Sequence, residues 1–128
     1  MSQSIGETDS APLAGRVTLV TRSGRGLGRV IAGHLAGLGA DLVIHDRSNT
    51  APSQYGEAAT LAEVAQRLEG RGRVLTVACD VTDEVAIQHM VDEVQSTRGP
   101  ISILVNCAGG DVGAKGTARA TRCHCILA

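Results

Sequence analysis

The sequence predicts an α/β fold, a doubly wound parallel sheet with helices on both faces. Apolar, β-branched runs alternate with segments of helical periodicity, giving strand, helix, strand, helix, strand, helix, strand. The strand segments are almost continuously apolar, as strands covered on both faces are. The residues that break the pattern are a glycine-rich turn, Asp46, Asp80 and Asn106. All fall at the carboxyl ends of the strands, and in a sheet of order 3-2-1-4 that is where the ligand crevice lies.

The elements follow in order. Residues 1–12 are polar and read as a flexible arm, with the folded unit spanning 13–110. Val17 to Thr21 is the first strand. Leu27, Val30, Ile31, Leu35 and Leu38 then recur at helical spacing, and Gly39 supplies the stop. His34 lies near that stripe and reads as a packed, neutral residue. "ADLVIHD", residues 40–46, is a second strand ending in an acid, and "RSNTAPSQYGE" after it reads as a surface loop. Leu61, Val64, Ala65 and Leu68 define a second helix closed by Gly70, and "RVLTVACD" is a third strand ending in Asp80. Thr82 is the expected N-cap of the third helix, with Asp83 and Glu84 in its first turn. Ile87, Met90, Val91 and Val94 give that helix a buried face, Gly99-Pro100 ends it, and "ISILVN" is the fourth strand. Residues 111–128 read as an irregular tail.

A chain of 128 residues makes one domain, able to bury roughly two thirds of the surface its unfolded form exposes. With no Phe, no Trp and a single Tyr, its core must be built from Val, Leu, Ile and Ala. The net charge of −1 gives no reason to expect nucleic acid or an anionic membrane as partner. The first residues lack the pattern of a signal peptide, and no apolar run is long enough to span a bilayer. Cys79, Cys107, Cys123 and Cys125 fit no disulfide framework, so a reduced, cytoplasmic protein is expected. Cys123-His124-Cys125 has no matching second pair and is not read as a metal site.

In the turn, Gly24, Gly26 and Gly28 keep side chains away, so that backbone N–H groups at a helix N-terminus can approach a pyrophosphate. Asp46 ends the next strand, about 20 residues on, where an acid accepts hydrogen bonds from a ribose 2′-hydroxyl. An acid there also repels a 2′-phosphate, which favours NAD over NADP. Arg25 and Arg47 stand close by in sequence and oppose that preference, since either can meet a phosphate.

"TRSGRGLG", "HD", "CDVTD" and "LVNCAG", in this order, resemble the first half of a short-chain dehydrogenase/reductase, whose pattern is T-G-x-x-x-G-x-G after the first strand and N-N-A-G after the fourth. The resemblance covers roughly residues 13–117 and lapses from about 119. It implies a Rossmann-like NAD(P)-binding fold and hydride transfer between a nicotinamide cofactor and a carbonyl or alcohol. It places Gly26 and Gly28 at the phosphates with Arg25 and Leu27 as neighbours, Asp46 at the adenosine ribose, and Asp80 and Val81 at the adenine. Asn106, Ala108 and Gly109 would form the turn that braces the cofactor. Cys107 replaces the second asparagine, a mild change, and Arg22 replaces the first glycine. If that position needs a positive φ, a Cβ there adds strain and should impair binding, unless the guanidinium pairs with a phosphate.

The family's catalytic Tyr-x-x-x-Lys is not found: the one tyrosine, Tyr55, is followed four places later by Ala59, and the one lysine is Lys115. No catalytic residue is therefore assigned, and the chain reads as the cofactor-binding half, truncated after about four strands. The alternative is a non-catalytic nucleotide-binding module or inactive fragment. Such a sheet would leave the fourth strand as a bare apolar edge, open to self-association.

Overall fold

A computed structural model of the protein describes residues 11–56, 58–68 and 72–108, and the backbone alone at Tyr55 and His124–Leu127. The strands are β1 (Val17–Val20), β2 (Asp41–Asp46), β3 (Val74–Ala78), β4 (Ile103–Asn106) and β5 (His124–Leu127). The helices are α1 (Gly26–Gly37), α2 (Leu61–Arg67) and α3 (Glu84–Arg98). They form one five-stranded sheet of order β3-β2-β1-β4-β5. The first four strands are parallel, with Leu19 beside Val43 on one side and Leu104 on the other. The predicted order 3-2-1-4 is thus present.

Alternation along the strands divides the core in two. Val20, Leu42, Ile44 and Val105 pack with Ala32 and Ala36 of α1 and Leu61 and Val64 of α2. Val17, Leu19, Val43 and Val77 turn the other way, onto Met90 and Val94 of α3. Two helices cover one face and the third covers its opposite, which is why β1 and β2 are buried along their whole length. Small residues let α1 lie close to the sheet. A Cβ on Gly28 would overlap the Arg22 carbonyl oxygen.

Several sequence expectations need correction. Leu27 and Val30 are 56% and 64% exposed, because the buried face of α1 runs through Gly28, Ala32 and Ala36, with Ile31 and Leu35 packing at its flank. His34 is exposed rather than packed. The N-cap of α3 is Asp83, not Thr82: its carboxylate accepts from the amides of Val85 and Ala86. Thr82 instead donates to Asp80. The loop after β2 is no mere surface excursion. Residues Ala51–Tyr55 form a 3₁₀ turn, with Ala51 and Pro52 buried. Strand β4 is not a bare edge either, since β5 pairs with it antiparallel from Ile103 to Asn106. That fifth strand was not anticipated, because its sequence is too short and mixed to carry a period. Gly70, Gly109 and the side chains of Cys123, His124 and Cys125 lie outside the described residues.

β1 and β4 are also tied at their carboxyl ends by one side chain. Thr21 Oγ1 accepts from the backbone amides of Cys107 and Ala108, each at 2.9 Å. Thr21→Val would leave both donors unpartnered at little change in shape, and unpaired buried donors are costly. Urea denaturation should show a loss of about 2 kcal/mol or more for Thr21→Val, with Thr21→Ser retaining most of the stability.

Candidate functional site

The chain leaves β1 through a turn that its neighbours hold residue by residue. Arg22 has φ +54°, the one positive φ at a non-glycine among the described residues. The position does require the conformation that a glycine adopts without steric conflict. Its amide donates to His45 Nδ1 at 2.9 Å, and the other ring nitrogen of His45 lies 2.9 Å from the Cys79 carbonyl oxygen. Because a carbonyl only accepts, Nε2 carries the proton and Nδ1 has the lone pair. Ser23 exchanges bonds with the backbone of His45: its amide donates to the His45 carbonyl (2.6 Å) and its hydroxyl accepts from the His45 amide (2.9 Å).

After the turn, Arg25 is extended and forms the N-cap of α1, with no side-chain cap and no acid in the first turn. By contrast, Thr60 caps α2 and Asp83 caps α3. The positive end of α1, with Gly26 exposed at φ +60°, therefore suits an anion supplied from outside.

Beside this turn lies a cleft of about 640 Å³ at the carboxyl ends of the strands. Among the residues assigned to a cofactor from sequence, it brings together Arg25, Asp46, Asp80, Val81 and Ala108. Gly26, Leu27, Gly28 and Asn106 are not in its lining. Gly28 serves the approach of α1 to the turn, and Asn106 ends β4. Arg22, His45, Arg47 and Gln54 also face the cleft. Sequence reading missed His45 and Gln54 as parts of the site. The signal for His45 was a polar residue directly after the apolar run Leu42–Ile44 of β2; for Gln54 there was none.

Asp46 is the centre of the electrostatics. It is 0% exposed. Its Oδ1 accepts the Arg47 amide at 2.7 Å, whereas Oδ2 is buried without a hydrogen-bond partner. Arg25 Nε stands 3.9 Å from that oxygen, while Arg25 Nη1 donates to Gln54 Oε1. A Cβ on Gly24 would lie 2.7 Å from Oδ2, so only a glycine leaves room for this buried oxygen against the turn.

Asp80 is the second acid. Its Oδ1 accepts both the hydroxyl and the amide of Thr82, and these bonds hold its carboxyl below the usual range, helped by Arg47. Burial, with Asp80 and Asp83 adding to it, raises the Cys79 thiol, so Cys79 stays protonated at neutral pH. Burial lowers the His45 ring below its ordinary 6.5, opposed by the bond to Cys79 and by the Asp46 charge.

The comparisons with known proteins agree with this geometry. The family model described as short chain dehydrogenase matches residues 16–123. The chain is 41% identical over 101 residues to an NADPH-dependent aldehyde reductase-like protein of Arabidopsis thaliana, covering 77% of this chain and 37% of that one. It is 36% identical over 118 residues to a cyclohexanol dehydrogenase of a Rhodococcus species, covering 89% and 44%. The structure of L-sorbose reductase from Gluconobacter frateurii, complexed with NADPH and L-sorbose, superposes with a TM-score of 0.66 at 30% identity, covering 87% of this chain and 40% of that one. The chain thus spans well under half the length of these relatives. Among the described residues, no helix is long and apolar enough to cross a membrane.

The depressed His45 pKa has a definite sign in stability. The unfolded chain takes up the proton near 6.5 and the folded chain only at lower pH, so the contribution is complete above 6.5 and lost as pH falls below it. Denaturation at pH 7.5 and 5.5 should show a larger acid loss for the unmodified chain than for His45→Asn, in which the titrating ring is gone.

Proposed function

The chain belongs to the short chain dehydrogenase family, and from that premise we propose that its cleft binds the adenosine half of a nicotinamide dinucleotide, NAD in preference to NADP. The carrying observation is Asp46 Oδ2, a buried acceptor with no donor. Such an oxygen calls for a hydrogen-bond donor. A ribose 2′-hydroxyl has a proton to give, whereas a 2′-phosphate has none at neutral pH and would set a second anion against the carboxylate.

Other residues fit the same ligand. The uncapped α1 N-terminus would receive the pyrophosphate, with Arg22 and Arg25 of the cleft lining adding positive charge. Asp80, with its carboxylate held by Thr82, and Val81 would border the adenine. When bound, the nicotinamide would supply the hydride exchanged with a carbonyl or alcohol substrate. The part proposed for these residues is to bind and orient the dinucleotide; no proton-transfer role is assigned among them.

A second reading has its own support. Arg22, Arg25 and Arg47 line the cleft, L-sorbose reductase was seen with NADPH, and an aldehyde reductase relative is NADPH-dependent by name. Three guanidinium groups would suit a 2′-phosphate.

Calorimetric titration with NADH and NADPH separates the two. We expect tighter binding of NADH, and for Asp46→Asn a loss of about tenfold in NADH affinity with a gain for NADPH. Tighter NADPH binding by the unmodified chain would overturn the preference, and no binding of either by the folded chain would overturn the site.

A further inference from the structure

We propose that His45 is the positioning residue of the dinucleotide turn, its ring holding Arg22 in the left-handed conformation that a glycine would reach unaided. The proposal deepens the cofactor reading above, and its binding measurements rest on that reading.

Arg22 stands in a backbone region that side chains with a Cβ avoid, so the surroundings must fix it there. What grips it is its own amide. The N–H of Arg22 donates to His45 Nδ1, and the ring cannot swing away because Nε2–H is engaged by the Cys79 carbonyl just past the end of β3. The same residue holds Ser23 through its own carbonyl, which accepts the Ser23 amide, and its own amide, which donates to the Ser23 hydroxyl. His45 therefore fixes two successive residues of the turn, while its ring spans from the turn to the end of β3.

The effect reaches the phosphate end of the site through one contact. The Arg22 carbonyl lies against Gly28 in the first turn of α1, with no room for even a Cβ between them. Rotation of the peptide after Arg22 would displace that carbonyl and push on the start of α1. Holding the amide on one side of Arg22 and the helix on the other sets where the α1 N–H groups point. A histidine on β2 thus does through a side-chain acceptor what a glycine after β1 does through conformational freedom.

Two substitutions divide the ring's bonds. In His45→Asn the side-chain oxygen falls near the position of Nδ1 and keeps an acceptor for Arg22. In His45→Gln the amide nitrogen falls near Nε2 and keeps only the bond to Cys79. By calorimetry with NADH, we expect His45→Asn to bind within about threefold of the unmodified chain and His45→Gln about tenfold more weakly, the scale of one lost hydrogen bond. Arg22→Gly should remove the dependence, so that Arg22→Gly with His45→Gln binds like Arg22→Gly alone. Unchanged affinity in His45→Gln, or no rescue by Arg22→Gly, would overturn the proposal.

A measurement on the unmodified chain stands apart from cofactor binding and from the folding of variants. In ring-labelled protein, NMR should detect a coupling across the hydrogen bond between the Arg22 amide nitrogen and His45 Nδ1, with Nε2 protonated. Absence of that coupling, or the opposite tautomer, would sink the clamp even if NADH binds. Failure to bind NADH with the coupling present would count against the cofactor reading instead.

Discussion

The carboxyl end of the sheet depends on how three consecutive residues, Thr21, Arg22 and Ser23, are bonded to the strands beside them. Thr21 takes two amides from the turn after β4. Arg22 and Ser23 are held by His45 of β2, and Ser23 Oγ donates back to the Val20 carbonyl at the end of β1. A turn that contains a left-handed arginine has little conformational preference of its own for this shape. Its neighbours impose it, and α1 begins where they leave it.

Charge is arranged around that scaffold in a consistent way. Arg25 and Asp46 face one another at 3.9 Å under cover of the loop after β2, too far for a hydrogen bond, so Asp46 is compensated by charge while its Oδ2 has no hydrogen-bond partner. His45, next in the chain, is held neutral by burial and adds no competing positive charge at neutral pH. The two neighbours thus divide the work: His45 accepts from the backbone of the turn, and Asp46 is the acceptor proposed for the ligand.

Much of this was legible in the sequence, and for identifiable reasons. Parallel strands covered on both faces are written as apolar runs, so β1 to β4 and their order could be read directly. The glycine turn and Asp46 could be read because both are set by contacts local to a strand end. What could not be read depended on orientation or on distant partners. The apolar stripe from Leu27 to Leu38 marks the helix but only part of the side it buries: Ile31 and Leu35 pack on the core, while close approach of α1 centres that face on Gly28 and Ala32 and turns Leu27 and Val30 out. Asp83 rather than Thr82 caps α3 because Asp80 captures the threonine first. The loop that shelters Asp46 does so through Pro52 and Gln54, and no local pattern announces such a fold-back. His45 looked like one polar residue in a buried strand; its role appears only when β1 and β3 lie on either side of it.

The turn, with an arginine in place of its first glycine, is proposed to hold a dinucleotide. Titration of the ¹⁵N-labelled chain with NADH, followed by amide chemical shifts, tests it most directly. The largest changes should fall at Ser23 to Leu27, with further changes at Arg47 and at Asp80 to Thr82. Saturable binding whose shifts fall elsewhere, on the amino-terminal side of the sheet or along α3, would contradict it.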